Sequence, residues 1–112
     1  ESAEPRVGPM QEHSEVEGPS RLVSEQRQLE VARAAVARGR YPEAIAVLRR
    51  ASTRFEAGVL AEERDALLIE ALVRQGEAEE AQSRAVSFAR AYPGSLYRGR
   101  VERLVREAGR AP

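Results

Sequence analysis

The chain of 112 residues contains no cysteine and no lysine, and its only histidine is His13. Without cysteine there are no thiolate nucleophiles, disulfides, iron–sulfur ligands or cysteine zinc sites. Without lysine no Schiff base can form, and His13 has no second imidazole with which to hold a metal ion or relay a proton. We therefore expect a protein that is not an enzyme and that has no cofactor and no metal site.

Long apolar runs and aromatic residues are also scarce. Aromatic residues make up 4% of the chain, and the longest uninterrupted apolar run is residues 44–48. A helix that spans a bilayer needs about 20 apolar residues, so we expect no membrane insertion by this segment. Ser83 and Ser87 have no histidine near them in the sequence, and no glycine-rich phosphate loop is present, which argues against Ser–His hydrolases and nucleotide loops.

Charge is balanced over the whole chain but not along it. Residues 1–20 carry five glutamates and one arginine, a net charge of −4, whereas residues 21–112 carry a net charge of +4. A charge of +4 is small for a nucleic-acid binder, and the arginines alternate with glutamates at helical spacings. We therefore expect no nucleic-acid partner.

The first nineteen residues differ in composition from the rest. Residues 1–19 contain three prolines and show no apolar periodicity, which predicts a disordered acidic linker. The first residue is Glu1 rather than methionine, so we expect the chain to be a piece of a longer product. Residues 20–110 are expected to form one small folded domain.

From Ser20 onward, apolar residues recur at three- and four-residue steps, which is typical of amphipathic helices. No segment alternates with a period of two over the length of a strand, so we predict an all-α fold. Glycine and proline mark the helix ends. The predicted helices cover about 20–38, 42–55, 60–75 and 78–91. A fifth helix is predicted after an N-cap at Ser95, with Leu96 or Tyr97, Val101, Leu104 and Val105 inside.

The predicted helices show internal self-similarity. Five pairs of chemically related residues are separated by 37 positions each: Gly39 and Gly76, Glu43 and Glu80, Ala44 and Ala81, Phe55 and Tyr92, and Val59 and Leu96. A fixed offset across two helix pairs is the signature of a helical repeat array. Because the predicted connections are short, neighbouring helices should be antiparallel.

The repeat resembles the tetratricopeptide repeat. Residues 39–45 read Gly-Arg-Tyr-Pro-Glu-Ala-Ile, and the family has Gly-x-Tyr-x-Glu-Ala-Ile around the turn inside a repeat. Residues 76–81 keep the Gly, Glu and Ala but lack the Tyr, and Pro93 falls where the family has its terminal proline. The resemblance covers about residues 24–105. It implies a short right-handed α-solenoid of two helix hairpins and a C-terminal capping helix.

Some residues depart from the family pattern. Gln28 and Asp65 stand where the family has a large apolar residue, Ile69 stands where it has a small one, and the repeat is longer than the usual period of about 34 residues. Residues 92–97, Tyr-Pro-Gly-Ser-Leu-Tyr, are similar to the ending of bacterial envelope repeats such as those of the outer-membrane assembly lipoprotein and the Tol-associated coordinator. This similarity implies the tail of a membrane-anchored protein on the periplasmic side of the bacterial envelope, with the cytoplasm as the alternative.

The family resemblance also implies a binding surface. Its ligands lie against the first helix of each repeat, on the concave side. Transferred by position, a protein or peptide partner would contact Gln26, Leu29, Arg33, Val36, Glu63, Glu70, Val73 and Arg74. Arg33 and Arg74 would pair with carboxylates, which suits the planar guanidinium group. In the alternative interpretation the charged residues only solvate the surface, and Leu29 and Val36 belong to the core.

These observations predict a non-catalytic protein–protein interaction or scaffold module. The alternative is a structural module that forms a weak homo-oligomer by pairing the exposed flanks of its terminal repeats. The fifth helix carries five arginines and two glutamates in residues 98–110. We interpret this polar helix as a solubilising cap on the repeat stack, with a docking patch for an anionic partner as the alternative.

Overall fold

A computed structural model of the chain describes residues 19–56 and 58–110. These residues form five α-helices and no strand, which confirms the predicted all-α fold. The helices are α1 (Pro19–Ala37), α2 (Tyr41–Arg54), α3 (Ala61–Gln75), α4 (Ala78–Ala91) and α5 (Arg98–Arg110). The first four agree with the predicted spans to within one residue at each end. The predicted linker of residues 1–19 lies outside the described residues, apart from Pro19, where α1 begins.

Successive helices pack against each other as two hairpins, α1–α2 and α3–α4, followed by α5. Helix α3 contacts both α1 and α5, so the odd-numbered helices form one layer and the even-numbered helices the other. One pair of long side chains connects α2 to α4. Arg49 of α2 donates hydrogen bonds to both carboxylate oxygens of Glu80 of α4, at 2.9 and 3.0 Å. These hydrogen bonds and a further one from Arg84 hold the pKa of Glu80 below its ordinary value.

The turns inside the two hairpins have the same hydrogen bonds. Gly39 and Gly76 adopt φ angles of 74° and 91°, in the left-handed region that favours glycine. The next residue in each turn donates its backbone N–H into the preceding helix, from Arg40 to the Ala35 carbonyl at 2.8 Å and from Glu77 to the Leu72 carbonyl at 2.9 Å. The two donors are 37 positions apart in the sequence, and so are the two acceptors. The duplication predicted from the sequence therefore extends to backbone geometry.

Small side chains lie where the helices of each hairpin meet. Ala44 and Ala81 have no exposed surface, and Ala44 packs with Ala35 of α1 and Ala71 of α3. A larger core runs through both hairpins and reaches α5, so the five helices share one apolar interior. Its buried members are Leu29, Ala32, Val47, Leu48, Ala66, Leu68, Ile69, Leu72, Ala81, Phe88 and Val101.

A buried ion pair joins the two hairpins. Glu25 of α1 and Arg64 of α3 are 3% and 4% exposed, and their side chains are 3.4 Å apart. Glu25 also accepts the backbone N–H of Leu60 at 3.0 Å, and Arg64 donates to the Phe55 carbonyl at 3.0 Å. A buried charge is costly unless it is paired and hydrogen-bonded, so these contacts hold the α2–α3 loop against α1 and α3.

Aromatic and cationic groups complete this junction. The Phe55 side chain is 1% exposed, and the guanidinium groups of Arg21 and Arg54 lie 5.2 and 5.1 Å from its ring centre. Arg21 also donates to the Arg54 carbonyl at 2.8 Å, which fastens the start of α1 to the end of α2. Cation–π contacts of this kind add to the burial of the ring.

The start of α5 differs from the prediction in one detail. The Ser95 hydroxyl accepts the backbone N–H of Tyr97 at 3.0 Å, so it caps a turn rather than the helix itself, which begins at Arg98. The sequence predicted that either Leu96 or Tyr97 would be buried. Tyr97 packs against the core, whereas Leu96 is 97% exposed. Val101 and Leu104 are buried as predicted.

We predict that Ala44→Leu and Ala81→Leu each lower the free energy of unfolding by about 1–3 kcal/mol, because the added side chain overpacks the contact inside a hairpin. Urea unfolding followed by circular dichroism measures the change. Ala46→Leu is the control, since Ala46 is exposed on α2. Equal stability of the three variants would contradict the close approach of the helices.

We also predict that Gly58→Ala destabilises the fold by about 1–3 kcal/mol, because it disturbs buried hydrogen bonds at the junction. A Cβ atom at position 58 would collide with the Glu25 carboxylate, whereas one at position 94 would meet nothing within 4 Å. Gly94→Ala, in the loop between α4 and α5, is therefore the matched control. Thermal melts of both variants check the prediction, which fails if they coincide.

Candidate functional site

An open groove of about 380 Å³ lies between α1, α3 and α5. Its lining residues are Arg33, Val36 and Ala37 of α1, Glu63, Ala66, Leu67 and Glu70 of α3, and Tyr97, Arg100, Val101 and Leu104 in and just before α5. Most of these side chains are apolar, and the charged ones are confined to arginine and glutamate. The volume lies in the lower part of the range of about 300–1,000 Å³ that is usual for ligand sites.

Helix α3 forms the middle of the groove. Glu63, Leu67 and Glu70 lie at positions i, i+4 and i+7, so they share one helical face. Leu67 is half-buried between the two carboxylates. An apolar side chain between two acids is therefore the central feature that α3 presents to the groove.

Arginines from the neighbouring helices pair with both acids. Arg33 of α1 pairs with Glu63, and Arg100 of α5 pairs with Glu70 at 2.9 Å. Arg74 lies 3.6 Å from the same Glu70 carboxylate, one turn along α3. These pairs join each flanking helix to α3 across the groove.

The arginines are more exposed than the carboxylates that they pair with. The side chains of Arg33, Arg74 and Arg100 are 50%, 47% and 49% exposed. Those of Glu63 and Glu70 are 28% and 14% exposed. A guanidinium group has several N–H donors, and one carboxylate does not occupy all of them. A molecule that approaches the groove therefore meets hydrogen-bond donors at the rim and an apolar surface below.

Four of the eight residues predicted for the binding surface line this groove: Arg33, Val36, Glu63 and Glu70. Arg74 is exposed and reaches the groove through its contact with Glu70. Val73 is half-buried against the core, and Gln26 is exposed on α1 but does not line the groove. Leu29 is 5% exposed and belongs to the core, so it cannot meet a partner at the surface.

One wall of the groove was not predicted from the sequence. Tyr97, Arg100, Val101 and Leu104 line it, although α5 was interpreted as a cap, or alternatively as an anionic docking patch, and not as part of the groove. The apolar spacing of Val101 and Leu104 indicated a buried face, and the structure shows that this face lies against both α3 and α4. Helix α5 therefore completes the groove.

A further polar contact, outside the groove, joins Asp65 of α3 to Tyr92 at the end of α4. Asp65 accepts a hydrogen bond from the Tyr92 hydroxyl at 3.3 Å, beside a cavity of about 170 Å³. Burial raises the pKa of Asp65, and the Arg64 charge and the Tyr92 hydrogen bond lower it in part. Burial, and then the charge of Asp65, raises the pKa of Tyr92. In the first repeat the equivalent residues are Gln28 and Phe55, which lack the carboxylate and the hydroxyl.

Within residues 19–56 and 58–110, no three His, Cys, Asp or Glu side chains are grouped so that they could bind a metal ion. No helix in these ranges has both the length and the apolar character required to cross a bilayer. No family model, curated protein or solved structure matches the chain. The tetratricopeptide resemblance accordingly depends on the motif in residues 39–45 and its partial copy 37 positions later.

We predict that Asp65→Asn changes how stability depends on pH. Because the folded state raises the pKa of Asp65, its contribution to stability is complete below the ordinary aspartate value of about 3.9 and is lost as pH rises through the raised value. Asparagine can still accept the Tyr92 hydrogen bond but does not titrate. The variant should therefore gain stability relative to the parent between pH 3 and pH 7, in urea unfolding at each pH. A constant difference across this range would contradict the burial of the carboxylate.

Proposed function

We propose that this chain is a non-catalytic, tetratricopeptide-like interaction module that binds a short peptide segment of a partner protein in the groove between α1, α3 and α5. The observation that carries the proposal is the apolar groove whose rim presents half-exposed arginines from all three helices. Arg33, Arg74 and Arg100 leave N–H donors for a ligand, while the half-buried side chains of Val36 and Leu67 offer it an apolar surface.

The chemistry of the groove favours one kind of peptide. A branched aliphatic side chain would contact Leu67 and displace water from the apolar floor, and full burial of such a side chain is worth about 1.5–3 kcal/mol. Carboxylates on either side of it would accept hydrogen bonds from Arg33 and Arg100, and each exposed ion pair adds about 0.2–1 kcal/mol. An extended acidic peptide with an apolar anchor therefore fits best.

Binding by this groove alone is expected to be weak, because two hairpins and one helix offer a shallow surface. Attachment of module and partner to the same membrane or complex would raise their effective concentration. The similarity of residues 92–97 to bacterial envelope repeats supports such a setting, with this chain as the tail of a larger protein on the periplasmic side of the envelope. The cytoplasm is the alternative location.

Self-association is the second candidate function, and one surface feature favours it. Val23 and Val31 on α1 are 48% and 45% exposed, although both are large and apolar. A preceding repeat would cover a flank of this kind in a longer array, and a second copy of the chain could do the same. Sedimentation over a concentration series separates the two candidates, since a chain that remains a monomer at high concentration excludes self-association.

The peptide proposal predicts a charge-selective titration. A dye-labelled peptide with leucine between two glutamates should bind the full chain in fluorescence anisotropy, and its lysine counterpart should not. Arg33→Ala and Arg100→Ala should each weaken binding by about 1.4- to 5-fold, as expected for the loss of one exposed ion pair of about 0.2–1 kcal/mol. Arg90→Ala is the control, because Arg90 is exposed on α4 away from the groove.

Circular dichroism melts of the three variants establish that folding is intact. Equal affinity for the two peptides, or equal weakening by Arg90→Ala and the groove variants, would contradict the assignment of the groove as the binding site.

A further inference from the structure

The arginines of α5 are not all used inside the domain. Arg98 donates to Glu102 at 2.9 Å, and Arg100 donates to Glu70 at 2.9 Å. Arg103, Arg106 and Arg110 are exposed, and among residues 19–56 and 58–110 no carboxylate lies within 4.0 Å of their nitrogens. These three arginines are called the basic stripe.

The basic stripe has a definite geometry. Its members lie at positions i, i+3 and i+7, so they share one face of α5 and extend over about 10 Å. Glu107 is exposed on the same side of the helix and reduces the charge of the stripe without neutralising it. With five arginines and two glutamates, α5 has a net charge of +3, more than any other helix described.

The chain itself contains a segment of complementary charge. Residues 1–18 carry five glutamates and one arginine, a net charge of −4. We propose that the basic stripe of α5 is a docking surface for this acidic segment of the same chain. The acidic first eighteen residues and the basic face of α5 are then an internal recognition pair.

The connection between the two is long enough. Helices α1 and α5 flank α3, and the basic stripe lies about 8–18 Å along α5 from its first residue, Arg98. Two helix spacings separate their axes by about 16–20 Å. Glu4 is fifteen residues before Pro19, and an extended chain of that length reaches about 50 Å. Glu1 reaches further, so the carboxylates of Glu1 and Glu4 can meet the stripe even when the distance along α5 is added.

The absence of cysteine allows a direct test on the full chain. Ser14→Cys introduces a single thiol for a nitroxide spin label inside the acidic segment. The label should attenuate the NMR amide signals of residues 103–110 at about 0.01 M salt, where the Debye length is about 30 Å. The attenuation should be lost at about 1 M salt, where the Debye length is about 3 Å.

Two triple variants with equal net charge supply the control. Arg103→Glu, Arg106→Glu and Arg110→Glu together should abolish the attenuation. Arg27→Glu, Arg38→Glu and Arg90→Glu together should leave it, because these arginines are exposed elsewhere. Both carry the Ser14→Cys label, and circular dichroism confirms that they fold.

Three results would overturn the proposal. The first is no attenuation on α5 at low salt, and the second is the same attenuation in both triple variants. The third is attenuation that appears only when a spin-labelled chain is mixed with an isotope-labelled one, since the contact would then join two copies. None of these results bears on peptide binding in the groove, which the anisotropy titration tests separately.

Discussion

The tightest packing constraint in this fold is the contact between small side chains near the starts of α2 and α4. Ala44 packs with Ala35 and Ala71, and Ala81 is equally buried one repeat later. A methyl group is the largest side chain that such a crossing accepts without displacing a helix, since protein interiors are close-packed. The left-handed glycines at 39 and 76 return the chain at this distance, so turn and contact depend on each other. The layer of odd-numbered helices, and with it the groove, follows from these two crossings.

The two hairpins are held together by different means. The ion pair between Glu25 and Arg64 lies in the interior, where each side chain also hydrogen-bonds a backbone group of the α2–α3 loop, while Arg64 Nε has no hydrogen-bond partner among the described residues. Replacement of such a pair by apolar residues is often neutral for stability, whereas loss of one partner is costly. Its role here is to fix where α3 lies against α1. On the other side of the domain, Arg49 and Glu80 make the equivalent connection between α2 and α4 at the surface.

The parts of the structure that depend on local signals were predictable from the sequence. Helix bounds, the glycine turns and the burial of Ala44 and Ala81 follow from periodicity, from the left-handed preference of glycine and from a repeated offset. Pairs between distant residues were not predictable, because nothing near Glu25 in the sequence indicates Arg64, which lies 39 positions away. Leu29 was misplaced for a related reason, since periodicity identifies an apolar face but not which part of it a neighbouring helix covers.

Only the part of the groove formed by α1 and α3 was predicted, because the rest depends on contacts between residues that are distant in the sequence. Residues of α1 and α3 were transferred by their position in the repeat, whereas Tyr97 and Arg100 depend on how the last helix packs against α3. The charge asymmetry of the chain was visible from composition, but the free face of α5 became apparent only when Arg98 and Arg100 were seen to be paired.

The most direct test of this account is a methyl nuclear Overhauser spectrum of the full chain with labelled alanine. The stacked-hairpin arrangement predicts cross-peaks from the Ala44 methyl group to those of Ala35 and Ala71, which lie on the two helices adjacent to α2. It also predicts that the Ala44 and Ala81 methyl groups show no contact with water. An Ala44 methyl group with cross-peaks only to residues of its own helix would contradict the stacked hairpins and remove the groove.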